Sequence, residues 1–217
     1  MHVSQRQQFH IKNLMAGYWK LGSDPRFVLL ALASGIPFNG MFLYVLSAPV
    51  FLGEHLGLQP QQFFWFFVLT ISGIMGGAFV SGRVAGKTSP KQQIRNGFLI
   101  MLIIGLLNLA ANLAFKAHVS WALFPIAIFA FGWAMMVPVV TLLVLDLHPD
   151  RRGMASSLQM FVGSTANGLV AGVVSPLVMH STVALASASV LMMCLGLCSW
   201  VFIRRRWPEI GQKVDVL

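Results

Sequence analysis

The sequence predicts an all-α membrane protein, a bundle of six transmembrane helices. Hydrophobic residues make up 57% of the chain and charged residues only 10%, whereas soluble domains carry about 25% charged residues. The charges are confined to short segments between apolar runs, and each run has the roughly 20 residues that a helix needs to cross about 30 Å of hydrocarbon. The net charge of +9 does not indicate nucleic-acid binding, because Lys and Arg separate apolar runs instead of forming one basic face.

The chain divides into a lead-in of residues 1–26, a transmembrane domain of residues 27–203 and a tail of residues 204–217. Apolar residues of the lead-in recur at helical spacing from Ile11 to Trp19, which fits either a short helix at the membrane interface or an unstructured segment. Six spans also divide into three plus three, the plan of an inverted repeat. The spans are predicted at Phe27–Leu52, Phe63–Ser81, Gly97–Phe115, Trp121–Leu147, Leu158–Met179 and Thr182–Ile203.

The basic residues predict the orientation of the bundle. With six spans both termini lie on one side, and the segments on that side carry fourteen Lys and Arg residues, against only Lys116 on the other side. Because connections rich in Lys and Arg stay in the cytoplasm, both termini, including the lead-in and the tail, are predicted to be cytoplasmic.

Ionisable groups are nearly absent from the spans. Asp146 is the only acid near a span interior, and every His lies in a loop, a terminus or a span end. A hydrolase needs a nucleophile and a base buried together, and a haem or zinc site needs ligands inside the bundle. The sequence therefore predicts no enzyme, no metal site and no cofactor.

Neutral polar and aromatic side chains occupy the middle of several spans. Asn39, Leu43 and Ser47 share one helical face of the first span, and Gln159 and Asn167 share one face of the fifth. This pattern predicts a cavity for an amphipathic substrate. The alternative is interhelical packing, in which a hydrogen bond contributes about 0.6 kcal/mol. The candidate cavity residues are Asn39, Phe42, Leu43, Ser47, Trp133, Met136, Gln159 and Asn167.

Small residues predict close contacts between helices. Gly73 and Gly77 form a small-x-x-x-small pair in the second span, and Gly168 and Gly172 continue that spacing in the fifth. Asn108 in the third span is interpreted as a packing residue. Prolines in the first, fourth and fifth spans predict kinks, which suit moving helices.

Two cytoplasmic connections carry charges of opposite sign. Arg83 and Lys87 follow the second span, and Asp146 and Asp150 flank the hinge after the fourth. A pair between these connections would act as a latch for one conformation. The alternative is that the cations only keep the connections in the cytoplasm. The gating candidates are Arg83, Lys87, Asp146, Asp150, Arg151 and Arg152.

Three sequence segments carry a family resemblance. They read Phe42-Leu-Tyr-Val-Leu-Ser-Ala-Pro, Gly82-Arg-Val-Ala-Gly-Lys and Arg152-Gly-Met-Ala-Ser-Ser-Leu-Gln. They resemble, in turn, the first helix of the C-terminal half, the loop signature and the start of the eleventh helix of major facilitator drug:proton antiporters. The most similar type is the bicyclomycin and chloramphenicol resistance (Bcr/CflA) type. The resemblance extends from Tyr18 to Trp207 and implies helices seven to twelve of a twelve-helix fold.

The resemblance carries further expectations. The first, second, fourth and fifth spans would line the cavity, with the third and sixth peripheral. Asp146 matches the acid that meets the basic loop, here Arg83 and Lys87, in the charge relay of the family. The first six helices, thought to hold most coupling carboxylates, are missing. The chain therefore looks like a fragment, a split gene product or a truncated reading frame, and alone it should lack proton coupling.

The expected function is that of the C-terminal domain of a multidrug efflux transporter in a bacterial inner membrane. It would export amphipathic compounds in exchange for protons by alternating access, and it would be incomplete on its own. The expected partners are the lipid bilayer, a drug-like substrate, protons and either a separate N-terminal six-helix half or a second copy of the chain. The alternatives are a half transporter acting as a homodimer and a non-transporting membrane interaction protein.

Overall fold

The computed structural model describes residues 11–211, and every regular element in this part of the chain is helical. The main helices are α1 (Ile11–Gly22), α2 (Pro25–Leu46), α3 (Phe64–Val84), α4 (Pro90–Ala114), α5 (Phe124–Asp146), α6 (Arg152–Leu169) and α7 (Thr182–Arg206). Short α-helical segments lie at Val119–Ala122 and Ser175–Val178, 3₁₀ turns at Pro60–Gln62 and Pro149–Arg151, and widened π-helical turns at Pro49–His55 and Val170–Val174.

Six helical stretches in the described residues are long and apolar enough to cross a membrane, which confirms the predicted number of spans. Their ends differ from the predicted limits where polar residues are helical. α4 begins at Pro90 rather than Gly97, because the Ser89 hydroxyl caps it by accepting a hydrogen bond from the Gln92 N–H. α6 likewise begins at Arg152 rather than Leu158. Hydropathy marks only the part of a helix that lies in lipid.

α2 and α5 form the centre of the bundle. α2 packs against α5, α6 and α7, whereas α5 packs against α2, α3, α4 and α6, and the outer helices α4 and α7 pack on each other. Exchanging the triplet α2–α4 with the triplet α5–α7 reproduces each of these pairs except that of α5 and α6. Equivalent helices run in opposite directions, so the arrangement is that of a 3+3 inverted repeat.

Glycines bring the backbones of neighbouring helices into contact. A Cβ added at Gly73 would lie 2.1 Å from the carbonyl oxygen of Ala127, and one at Gly77 would lie 2.2 Å from that of Phe131. The predicted small-residue contact of the second span is therefore confirmed, and its partner is α5. Gly196 of α7 meets the ring of Pro37 in α2 in the same way, at 2.2 Å.

The glycine face of α6 differs. Added Cβ atoms at Gly168 and Gly172 would meet nothing within 4 Å, so no described residue makes the close contact that the spacing predicts. Gly35 of α2 does approach the backbone of α6, where its added Cβ would lie 3.5 Å from the Cα of Gly163. The side of α6 away from α2 is thus uncovered, and exposed apolar residues include Phe161 of α6 and Leu177 of the segment Ser175–Val178 that continues the same span.

Polar side chains inside the bundle pair with one another. Asn108 Nδ2 donates to the Tyr44 hydroxyl at 2.8 Å, which ties α4 to α2 as the packing interpretation predicts. Gln93 Nε2 donates to Ser81 Oγ at 2.7 Å and to the Met135 carbonyl at 2.9 Å, which joins α3, α4 and α5. Hydrocarbon offers no water to hydrogen-bond with, so each of these groups would cost roughly several kcal/mol if it were left unpaired. The pairings avoid this cost.

Part of the lead-in forms helix α1, which rests on the start of α6. The Tyr18 hydroxyl hydrogen-bonds to Ser157 Oγ at 2.8 Å, Gly17 packs against Met154, and Leu21 is buried. Trp19 on the opposite side is 79% exposed. The helix therefore has one packed face and one free apolar face, as an interfacial helix requires.

The glycine contact between α3 and α5 can be tested by adding one methyl group. Gly77→Ala should lower the thermal unfolding midpoint of the purified chain in detergent, because overpacking costs about 1–3 kcal/mol. Gly168→Ala is the matched control, since its methyl group enters open space and Ala is the better helix former by about 1 kcal/mol. Equal midpoints for the two variants would contradict the packing described here.

Candidate functional site

A groove of about 320 Å³ opens between α2, α5 and α6. Its walls combine aromatic, small and neutral polar side chains, and none of the residues that line it is ionisable. They are Ala31, Ser34, Gly35 and Phe38 of α2, Trp133, Val137 and Thr141 of α5, and Ser156, Gln159, Met160, Gly163, Ser164 and Asn167 of α6. The volume lies at the low end of the range of about 300–1,000 Å³ that ligand pockets occupy.

Ser34 is the centre of the polar contacts in the groove. Trp133 Nε1 donates to its carbonyl oxygen at 2.9 Å, and Gln159 Nε2 donates to its hydroxyl at 3.2 Å. Gln159 Nε2 also lies 3.3 Å from the Thr141 hydroxyl. One short network therefore connects α2, α5 and α6 across the floor of the groove.

Asn167 provides an acceptor without a donor. Its Oδ1 atom is buried and has no hydrogen-bond partner among the described residues. Leaving a buried acceptor unsatisfied costs about 1–3 kcal/mol. A donor from a ligand would remove this cost, so Asn167 is suited to bind a hydroxyl or an amide N–H.

The aromatic wall extends beyond the groove along α2. The Phe38 ring lies 4.9 Å from the Trp133 ring and 5.2 Å from the Phe42 ring, measured between centroids. Ser34, Phe38 and Phe42 are four residues apart and so form one stripe of the helix. A planar apolar compound would find stacking partners along this stripe.

The predicted cavity residues fall into two groups. Trp133, Gln159 and Asn167 line the groove, and Phe42 lies next to it through Phe38. The rest are buried inside the bundle: Asn39, Leu43, Ser47 and Met136. Hydropathy did not predict Ser34 and Phe38, although both belong to the stripe that leads to Phe42.

The buried group has internal partners. Asn39 Nδ2 donates to the Gly35 carbonyl of its own helix at 3.2 Å, and its Oδ1 atom has no described partner. Ser47 Oγ hydrogen-bonds to Ser175 Oγ at 3.1 Å. The resemblance also placed the second span at the cavity, but no residue of α3 lines this groove.

At the end of the bundle where the basic residues cluster, here called the basic end, the hinge between α5 and α6 is closed by an ion pair between its own two ends. Arg152 Nη2 lies 2.8 Å from Asp146 Oδ1, and both side chains are 60% exposed. The Arg83 guanidinium lies over the Phe79 ring, 4.9 Å from its centroid. Among residues 11–211, the structure contains no ion pair from Arg83 or Lys87 to Asp146 or Asp150. Phe79 is one turn before Arg83 on the exposed side of α3, which explains where the guanidinium lies.

A charged cluster at the start of α2 was not predicted from the sequence. Asp24 caps α2 by accepting from the Arg26 N–H, and it pairs with the Arg26 guanidinium at 2.9 Å and with His148 Nε2 at 3.3 Å. Burial alone would raise the pKa of Asp24, but the hydrogen bonds from Arg26 and the nearby positive charges outweigh it and hold the pKa below its ordinary value. Asp24 thus fastens α2 to the hinge after α5.

Comparison with known proteins then identifies the family. Residues 3–171 match the family model described as Major Facilitator Superfamily. The chain belongs to the Major Facilitator Superfamily. Among relatives of this major facilitator chain, Multidrug resistance protein D of Escherichia coli (strain K12) is 26% identical over 186 residues, which cover 86% of the chain and 46% of the relative. The chain therefore spans about half the length of this curated relative, and it is a member of a transporter superfamily rather than an enzyme.

The lowered pKa of Asp24 makes a prediction about pH. The ionised carboxylate stabilises the fold above the ordinary Asp pKa of about 3.9, and this contribution is lost as the pH falls through the lower folded value. Asp24→Asn keeps an oxygen that can cap α2 but removes the charge. In thermal unfolding, this variant should be less stable than the unaltered chain at pH 7, and the difference should shrink as the pH is lowered past the ordinary Asp pKa towards the lower folded value. A difference that does not shrink on acidification would contradict this role of the charge.

Proposed function

We propose that the chain is the C-terminal six-helix domain of a multidrug efflux transporter of the bacterial inner membrane, of the bicyclomycin and chloramphenicol resistance type. It exports amphipathic compounds in exchange for protons by alternating access, together with a second six-helix lobe. The observation that carries this proposal is the groove between α2, α5 and α6, which is neutral, aromatic and open along one side.

The chemistry of the groove suits a neutral amphipathic ligand. Phe38 and Trp133 offer ring faces, and Asn167 Oδ1 offers a free acceptor. A permanent charge inside the groove would have no counter-ion among the lining residues, and an unpaired charge in a low-dielectric site is costly. Apolar contact and a few hydrogen bonds would therefore select compounds by shape and polarity.

The open side of the groove supports a second lobe. The outer faces of α3 and α6 expose large apolar residues, including Met75, Phe79, Met160 and Phe161. Lipid acyl chains cover such apolar faces well. The groove beside α6 also contains the amides of Gln159 and Asn167, which acyl chains cannot hydrogen-bond, so we expect protein or substrate to cover it. The partner is either an N-terminal six-helix half or a second copy of this chain, and the half length relative to the E. coli protein favours the first.

Proton coupling would reside mainly in that second lobe. No carboxylate lines the groove described here, and a coupling group must change its charge in contact with the substrate pathway. The basic end, which is rich in Arg and Lys, would face the cytoplasm, and both termini would lie there.

The hinge at the basic end would act as a gate. An ion pair as exposed as that of Asp146 and Arg152 contributes about 0–1 kcal/mol, so it can be broken at little cost. In the alternative conformation, Arg83 or Lys87 would replace Arg152 as the partner of Asp146. The neighbouring charges Asp150 and Arg151 would adjust the balance between the two pairings.

The cavity assignment is tested in a chimera in which this chain replaces the matched segment of the E. coli relative. The chimera should confer resistance to some amphipathic drugs, and Asn167→Ala should change the relative resistance to drugs with a hydrogen-bond donor by up to about tenfold, the equivalent of about 1.4 kcal/mol. Leu191→Ala is the matched control, because Leu191 is exposed and no residue of α7 lines the groove. Identical drug profiles for both variants and the parent would refute the assignment.

The gate is tested by Asp146→Asn in the same chimera. Transport should slow, because one of the two pairings that define the conformations is lost, while drug binding to the purified protein should be unchanged. Arg152→Gln should slow transport as well, and the exchanged pair Asp146→Arg with Arg152→Asp should recover part of the rate. Normal turnover in Asp146→Asn would exclude the gate.

A further inference from the structure

The outward face of α7 leads directly to arginines. Leu191, Leu195 and Phe202 are exposed apolar residues of this helix, and Arg205 follows at the same helical spacing. The opposite face packs against α2 and α4 and includes the buried residue Trp200. The exposed face therefore consists of an apolar stripe with a charged end.

The arginines lie at the level of lipid headgroups. The uncharged part of α7, Thr182–Ile203, has 22 residues, which at about 1.5 Å per residue span roughly 33 Å. The hydrocarbon core of a bilayer is about 30 Å thick. With the apolar stripe in hydrocarbon, Arg204, Arg205 and Arg206 reach the phosphate layer.

A recess at this level joins apolar and basic surface. It has a volume of about 260 Å³ and is lined by Val201, Arg204 and Arg205. Both arginines are exposed, and within the described part of the chain neither takes part in an ion pair. Positive charge is thus concentrated beside a lipid-facing surface, and no carboxylate of residues 11–211 forms an ion pair with it.

The described part of the tail leaves the recess open. After α7 the chain turns towards α4, where Lys91 Nζ donates to the Pro208 carbonyl oxygen. Gly211 lies near Leu143 of α5 and Pro90 of α4. The tail up to residue 211 therefore lies over the ends of α4 and α5, and the residues that line the recess come from α7 alone.

We propose that Arg204 and Arg205 bind the phosphate of an anionic phospholipid whose acyl chain lies along Leu195 and Phe202. The planar guanidinium group matches phosphate oxygens through paired hydrogen bonds. Two adjacent cations favour a lipid with a net negative charge over a zwitterionic lipid, whose own cation would be repelled. This site depends only on the position of α7 in the membrane and is separate from transport.

The test uses native mass spectrometry of the whole chain in detergent with added phosphatidylglycerol or phosphatidylcholine. The chain should retain phosphatidylglycerol preferentially. The double variant Arg204→Gln with Arg205→Gln should bind it about thirtyfold more weakly, from about 1 kcal/mol for each cation near the surface. Lys116 is an exposed cation in the connection after α4, and Lys116→Gln is the control variant. It should bind phosphatidylglycerol as the unaltered chain does.

Two further variants and one competitor separate the explanations. Arg204→Lys with Arg205→Lys keeps the charge but not the paired hydrogen bonds, and it should bind with intermediate affinity. Phe202→Ala should weaken binding of long-chain more than short-chain phosphatidylglycerol. Equal retention of both lipids, or equal binding by the double Gln variant with an unchanged unfolding midpoint, would overturn the proposal. Displacement of the lipid by millimolar inorganic phosphate would identify the free anion as the ligand and would also overturn it.

Discussion

Contact between helix backbones at glycine positions holds this bundle together. Lipid tails are as apolar as the helix surfaces, so burial of apolar side chains alone provides little drive for helices to associate. Gly73 and Gly77 let α3 reach the carbonyl oxygens of α5, and Gly196 lets α7 reach Pro37 of α2. Close contact over long surfaces increases dispersion attraction. The central pair α2 and α5 is positioned by these contacts, and the groove is the space left between this pair and α6.

The helices are therefore unequally attached. α3, α4 and α7 have tight glycine contacts or buried amide pairs with the centre, such as those of Asn108 and Gln93. α6 shares with α2 one close approach at Gly35, one hydroxyl pair and the network at Gln159. The helix that forms one wall of the groove is thus the least firmly packed of the six spans. A transporter needs this distribution, with a stable body and a wall that can shift.

Hydropathy was enough to predict six spans, because a polar backbone crosses lipid only when its own hydrogen bonds are made within a helix. The faces of the helices were harder to assign. α2 is apolar almost all round, so polarity singled out Asn39 and Ser47, whereas the groove follows the adjacent stripe of Ser34 and Phe38. The pairing of Asp24 with His148 joins residues that are far apart in the chain. No local spacing could have indicated it. The contact of Arg83 with Phe79 is different, because the two residues are one helical turn apart and their spacing could have indicated it.

Hydrogen bonds join the spans of α2 and α6 at one end of the groove, beside the two widened turns. Both lie at the end opposite the hinge, where α2 continues into Pro49–His55 and α6 into Val170–Val174. There the hydroxyls of Ser47 and Ser175 join the two helices, and His55 Nε2 donates to the Met179 carbonyl at 2.9 Å. At the other mouth α6 is secured by exposed contacts at Ser157 and Arg152. α6 is therefore attached firmly at one membrane surface and weakly at the other. A small rotation of α6 about its firmly attached end would displace the end at the hinge most.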